Sequence, residues 1–141
     1  IGEIQEFAFY NAPLNDDTFE IPVSIRNIGR FAFQGHNFKK IIMPNELTNI
    51  GDYAFANSYA YPAAPTLTEL DLSKYESVAE WMVASSFIFY EACSDSGTIK
   101  FNEKIKSSMG DTDDEIKTWI KNFKIRQCIP DNNDWKIEWI A

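Results

Sequence analysis

Apolar residues return along this chain in a fixed order. Ile28-Gly29-Arg30-Phe31-Ala32-Phe33 leads to Phe38, then to Ile41-Ile42-Met43-Pro44, and on to Leu47 and Ile50. Ile50 opens the next round, Ile50-Gly51-Asp52-Tyr53-Ala54-Phe55, followed by Leu67 and by Leu70-Asp71-Leu72-Ser73. An earlier round reads Ile4-Gln5-Glu6-Phe7-Ala8-Phe9, Leu14, Phe19-Glu20-Ile21-Pro22 and Ile25. Ile4, Ile28 and Ile50 stand 24 and 22 residues apart. A fourth, worn round runs through Phe87-Ile88-Phe89, Ile99-Lys100-Phe101 and Ile105, without the glycine or the Ala-Phe pair.

A period of this length falls in the window of leucine-rich repeats, where each unit is one short strand and one return segment. The positions recur because every coil of a solenoid points the same residues inward, and its neighbours complete its core. Within the strand the period is two, so Ile41 and Met43 face in while Ile42 faces out. Pro22 and Pro44 end the ladder where a missing donor does least harm. The Phe/Tyr-Ala-Phe step predicts a compact turn of helix, with the small alanine between two aromatic plugs. The expected fold is a leucine-rich-repeat solenoid of short parallel strands and short helical or irregular returns, about four coils over residues 1–102. The coils lie near 4–27, 28–49, 50–83 and, degenerate, 84–105, with insertions around 58–65 and 74–84.

Residues 103–141 leave the period. Asp111-Thr112-Asp113-Asp114-Glu115 precedes Ile116, Trp119, Ile120 and Phe123, spaced as one apolar helical face. Acids there suit a helix N-terminus, as caps and against the dipole. A Pro130-Asp131-Asn132-Asn133-Asp134 turn then separates Lys124 to Ile129 from Trp135-Lys136-Ile137-Glu138-Trp139-Ile140, where Trp135, Ile137 and Trp139 alternate onto one face. The prediction is a helix and hairpin that cap the open end of the last coil.

These segments resemble the BspA-like leucine-rich repeats of bacterial cell-surface proteins. Shared in order are the glycine after the opening isoleucine, the Ala-Phe pair, the strand closing on proline, and the final isoleucine. Residues 28–57 match nearly every position, and 4–27 match apart from the missing glycine. Leucine is rare, five in the whole chain, with isoleucine in most inward positions. The asparagine ladder of typical leucine-rich repeats is absent, and Ser73 replaces the proline in the third copy. The resemblance implies a non-catalytic, protein-binding repeat domain of a secreted or surface-anchored bacterial protein, an adhesin for host matrix or plasma proteins or for other microbial surfaces. It implies an extracellular or cell-surface location. The alternative is a structural spacer, or an accessory domain of a larger surface protein or secreted enzyme. Because the chain opens Ile1-Gly2 without a basic or apolar leader, a trimmed piece of a longer protein is expected.

Composition narrows the chemistry. Lys and Arg number 13 against 21 Asp and Glu, a formal charge of −8, which opposes binding to nucleic acid. No apolar run reaches the roughly 20 residues of a membrane helix, so no membrane insertion by this segment is expected. One histidine and two cysteines do not make an ordinary zinc site, and no cofactor or metal is expected. His36, in the variable loop after Ala-Phe, reads as an incidental surface histidine. Cys93, placed in the loop after Phe89, and Cys128 read either as two separate packed thiols or as a disulfide stapling the cap to the last repeat. Nothing in the chain looks catalytic, and a monomer is expected. Two surfaces remain as candidate protein-binding sites. One is the outward column of the concave face, Glu20, Ile42, Asp71 and Lys100, in which Asp71 is expected to pair with Lys100 on the next coil. The other is the 58–65 insertion with Tyr59 and Tyr61, read either as a binding loop or as a loop laid back over the convex side.

Overall fold

The first three rounds of the repeat each place one strand in each of two parallel sheets. A computed structural model describes residues 2–12, 14, 16–58, 64–83, 87–122 and 134–141. In chain order the strands are β1 (Glu3–Ile4), β2 (Thr18–Glu20), β3 (Asn27–Ile28), β4 (Lys40–Ile42), β5 (Asn49–Ile50), β6 (Leu67–Leu72), β7 (Cys93–Asn102) and β8 (Asp134–Ile140). The odd strands β1, β3 and β5 form a small three-stranded sheet. The second sheet has five strands in the order β2-β4-β6-β7-β8. All pairings among the described residues are parallel, which requires the chain to cross over between neighbouring strands, and up to β7 the repeat supplies that crossover.

Register places equivalent residues on top of one another. Ile4, Ile28 and Ile50 align in the small sheet, and Phe19, Ile41, Leu70, Ile99 and Ile137 align in the large one. Ile28, Ile41, Met43, Leu47, Leu70 and Ile99 are buried between the sheets, as the period of two demands. Ile42 faces outward and is half-buried.

The aromatic step departs from the expected turn of helix. Phe7, Phe31 and Tyr53 all take a left-handed backbone, with φ of 61, 58 and 58°. The Phe7 and Phe31 amides donate to the neighbouring coil and not along their own segment: Phe7 N–H to Arg30 C=O and Phe31 N–H to Asp52 C=O, each at 3.0 Å. Phe9, Phe33 and Phe55 do likewise toward Ala32, Ala54 and Ile88. An α-helical turn would have kept these donors for itself. A bulky residue in this conformation costs roughly 1–2 kcal/mol. What it gains is stacking: Phe7, Phe31, Tyr53 and Phe87 form one column at centroid distances of 4.9, 5.3 and 5.6 Å. Phe9, Phe33, Phe55 and Phe89 form a second at 5.1, 5.1 and 5.6 Å. Each such contact is worth about 0.5–1.5 kcal/mol beyond the area it buries.

The 74–84 insertion adds to the core. Within it α1 (Glu80–Val83) helps bury Trp81 and Met82, and Tyr75 is buried beside them. The Tyr75 hydroxyl donates to Leu47 C=O at 2.8 Å and accepts from Trp81 Nε1–H at 3.1 Å. Burial pushes its pKa up to about 12, against the opposing effect of the Trp81 bond.

After β7 come a short 3-10 turn (Glu103–Ile105), α2 (Lys106–Met109) and α3 (Asp113–Asn122). The α3 N-cap is Thr112, whose hydroxyl accepts from Glu115 N–H, while the Glu115 carboxylate reaches back to Asp111 N–H at 2.9 Å. Ile116 is buried and Trp119 meets Phe101 edge-on at 6.4 Å, as the helical spacing requires. The side chain of Ile120, and all of Phe123, lie outside the described residues. Among the described residues β8 pairs with β7, in parallel, from Ser96↔Asp134 to Asn102↔Ile140, and its expected hairpin arm, 124–129, lies outside them. Trp135, Ile137 and Trp139 match the inward rhythm of β7, so joining the sheet as a fifth rung packs them against the core.

The repeat glycines answer to the distance between coils. A Cβ on Gly51 would stand 2.5 Å from the Arg30 amide nitrogen, and one on Gly29 would stand 2.7 Å from Glu6 Cα. Backbone on both sides leaves nowhere to move. Gly51→Ala is therefore expected to lower stability by about 2 kcal/mol or more, read from the urea midpoint of unfolding. Gly2→Ala, whose Cβ would meet the flexible Arg26 side chain at 3.3 Å, should leave that midpoint nearly unchanged.

Candidate functional site

The outer face of the five-stranded sheet carries two aligned rows. One runs Thr18, Lys40, Glu69, Thr98, Lys136. The other runs Glu20, Ile42, Asp71, Lys100, Glu138, so four residues singled out from the sequence do stand side by side on successive strands. Their pairing differs from the expectation. Lys100 Nζ lies 3.4 Å from Glu69, whose same carboxylate oxygen lies 2.6 Å from Lys40 Nζ. Asp71 instead accepts from the Ser73 amide at 3.0 Å and from its hydroxyl at 2.5 Å. A turn residue two positions ahead holds Asp71 locally, leaving Glu69 as the bridge between coils. Glu69 holds the Lys40 ammonium above its usual pKa, chiefly through their hydrogen bond. Glu20 pairs with Lys74 at 3.6 Å. The centre of this face is thus mutually neutralised. Tyr59 and Tyr61 lie outside the described residues.

His36 is not on the surface. It is 7% exposed, stacked on Phe38 at 4.9 Å and edge-on to Phe55. Phe38 N–H donates to Nδ1 at 3.0 Å, which leaves the ring proton on Nε2 to donate to Phe55 C=O at 2.8 Å. Both nitrogens are satisfied by backbone, so the ring is a neutral bracket between coils. Burial lowers its pKa to about 4, against the opposing effect of the Phe55 bond. A ring so held is no general base.

Cys93 begins β7 and is buried, in place of the expected loop position. It is disulfide-bonded; the chain's other cysteine, Cys128, lies outside the described residues. Among the described residues no cluster of three or more His, Cys, Asp or Glu could hold a metal ion, and no helix is long and apolar enough to cross a membrane.

Two surface features escaped the sequence reading. Asn49 Nδ2 donates to Asn27 Oδ1 at 2.6 Å, an exposed asparagine pair on the small sheet where no ladder was expected. The signal was the Asn preceding both Ile28 and Ile50. The other is the rim of the first aromatic column. Phe7, Phe87 and the flanking Tyr10 and Tyr90 are exposed, and both tyrosines stand edge-on to the column. Rings stacked face to face along the coils turn their edges to solvent, which suits protein contact better than stacking on a sugar ring.

Parallel strands stacked coil upon coil, inward isoleucines in register and glycines at each close approach define a leucine-rich-repeat solenoid. The family model of the BspA type leucine rich repeat region (6 copies) matches residues 2–111, and the chain belongs to that family. No curated protein and no solved structure matches it.

The buried histidine gives the domain an acid-sensitive element. Above about pH 6.5 the ring is neutral folded or unfolded, and its contribution is complete. Between 6.5 and about 4 only the unfolded chain binds the proton, so stability falls with pH through that window, by about 3 kcal/mol in total. The gap in unfolding free energy between the native chain and His36→Gln should narrow by that order from pH 7.5 to 4. A histidine proton NMR signal titrating near 6.5 would contradict it.

Proposed function

We propose that this chain is a non-catalytic, protein-binding repeat domain of a secreted or surface-anchored bacterial protein, acting as an adhesin toward host matrix or plasma proteins or other microbial surfaces. The observation that carries the reading is the outer row Glu20, Ile42, Asp71, Lys100 and Glu138, aligned over five strands of one parallel sheet. Such a row offers a partner a fixed array of alternating chemistry on a rigid support, with Ile42 as its apolar point. The Tyr59 and Tyr61 loop is the second candidate contact. The disulfide at Cys93 supports an oxidising compartment, since bonded cysteines persist mainly outside the cytosol. Residues 103–141 act as the cap of the last coil, supported by the packing of Trp119 and Trp139 against Phe101 and by the burial of Ile116 in the core.

A spacer role is the second reading, and one observation favours it. Lys40, Glu69 and Lys100 satisfy each other, as do Glu20 and Lys74, so the centre of the sheet face is already neutralised. The two readings part in a binding screen of the purified domain against immobilised matrix and plasma proteins in physiological salt. Saturable binding that Ile42→Glu or the Tyr59→Ala/Tyr61→Ala pair abolishes supports the adhesin. A folded monomer that binds none of them supports the spacer.

A further inference from the structure

The small sheet carries an open depression. It has a volume of about 570 Å³ and runs over β3 and β5, bounded by Glu3 and Gln5 on one side and by Glu80 of α1 on the other. Gly29 and Gly51 lie in its lining. A second depression of about 390 Å³ shares Glu3 and Gln5 and continues past Asn27. Together they make a trough across the coils, elongated where a small-molecule site would be closed.

Its chemistry selects among occupants. Arg30 is tied to Glu6 at 2.6 Å, and Arg26 to Glu46. Glu3 and Glu80, both exposed, have no such cation among the described residues and face the trough from opposite walls. The Asn27 and Asn49 amides, bonded to each other, and Gln5 still offer both donors and acceptors. That combination matches the alternating N–H and C=O of an extended peptide, with basic side chains reaching the two carboxylates. It fits a neutral sugar poorly: Trp81, the one aromatic lining the trough, is 3% exposed and presents no ring face. On the five-stranded sheet, by contrast, Glu20 and Glu69 already have lysines.

We infer that the trough between Glu3 and Glu80 over the β1-β3-β5 sheet binds an extended, lysine- or arginine-bearing peptide segment of a partner protein. The inference rests on the protein-binding reading and names a face other than the one that reading uses. An alternating Lys-Thr octapeptide, whose lysines share one side when extended, is the probe. Titrated into the ¹⁵N-labelled domain at low salt, it should shift the Gly29 and Gly51 amides and the Asn49 side-chain amide. The shifts should fade as salt rises. Glu3→Gln/Glu80→Gln should weaken binding about fivefold, the size expected for two partly exposed ion pairs. Glu20→Gln/Glu138→Gln, which removes the same charge from the other sheet, should not. Equal weakening in both variants would mean attraction to overall charge alone and would overturn the inference. So would absence of peptide binding, or shifts at these amides with cellohexaose and not with the peptide. A domain that captures a matrix or plasma protein yet ignores the peptide would sink the trough and leave the protein-binding reading standing.

Discussion

Everything in this fold answers to how closely one coil lies on the next. Parallel strands stand about 4.8 Å apart, and here the return segments hold to that spacing too, through amide-to-carbonyl bonds from Phe7, Phe9, Phe31, Phe33 and Phe55. At such spacing a glycine is required where backbone passes over backbone, at Gly29 and Gly51. Aromatic rings must lie flat on one another, which they do at 4.9–5.6 Å in two columns. The left-handed backbone at Phe7, Phe31 and Tyr53 is the local strain that lets both the bonds and the stacks form. Strain repeated at the same position of three coils is held by the neighbours, because no coil could hold it alone.

The same constraint explains the buried polar groups. Where the coils cannot bond backbone to backbone, side chains span the gap: His36 joins Phe38 N–H to Phe55 C=O, and Tyr75 joins Trp81 to Leu47 C=O. Both are satisfied at each polar atom in play. Their pKa values move away from neutrality, down for the histidine and up for the tyrosine, because burial disfavours the charged form of each. These are structural brackets, and their chemistry is spent on holding coils together.

Charge divides the two sheet faces. Lysines and carboxylates on the five-stranded sheet pair across coils, and Glu69 bridges two lysines from strands on either side of its own. On the small sheet Arg26 and Arg30 are paired with Glu46 and Glu6, and among the described residues no lysine or arginine pairs with Glu3 or Glu80. A chain of net charge −8 is thus not evenly acidic. Its unspent negative charge includes a pair set over a trough, where it can act on a partner.

The repeat, the inward residues and the outer row Glu20, Ile42, Asp71, Lys100 were legible in the sequence, because a solenoid writes the same short-range requirement into every coil. The α3 face was legible for a similar reason: Ile116 and Trp119 sit at helical spacing within a few residues. Tertiary structure alone decided the rest. That Lys100 meets Glu69 and not Asp71 depends on side-chain reach across strands and on Ser73 claiming Asp71 first. That His36 is buried depends on Phe38 and Phe55 closing over a loop that the repeat leaves free to vary. That β8 extends the sheet depends on β7 offering a parallel edge more than thirty residues away in the chain. Periodicity records what each coil needs from the next, whereas contacts between non-equivalent positions arise only once the coils are stacked.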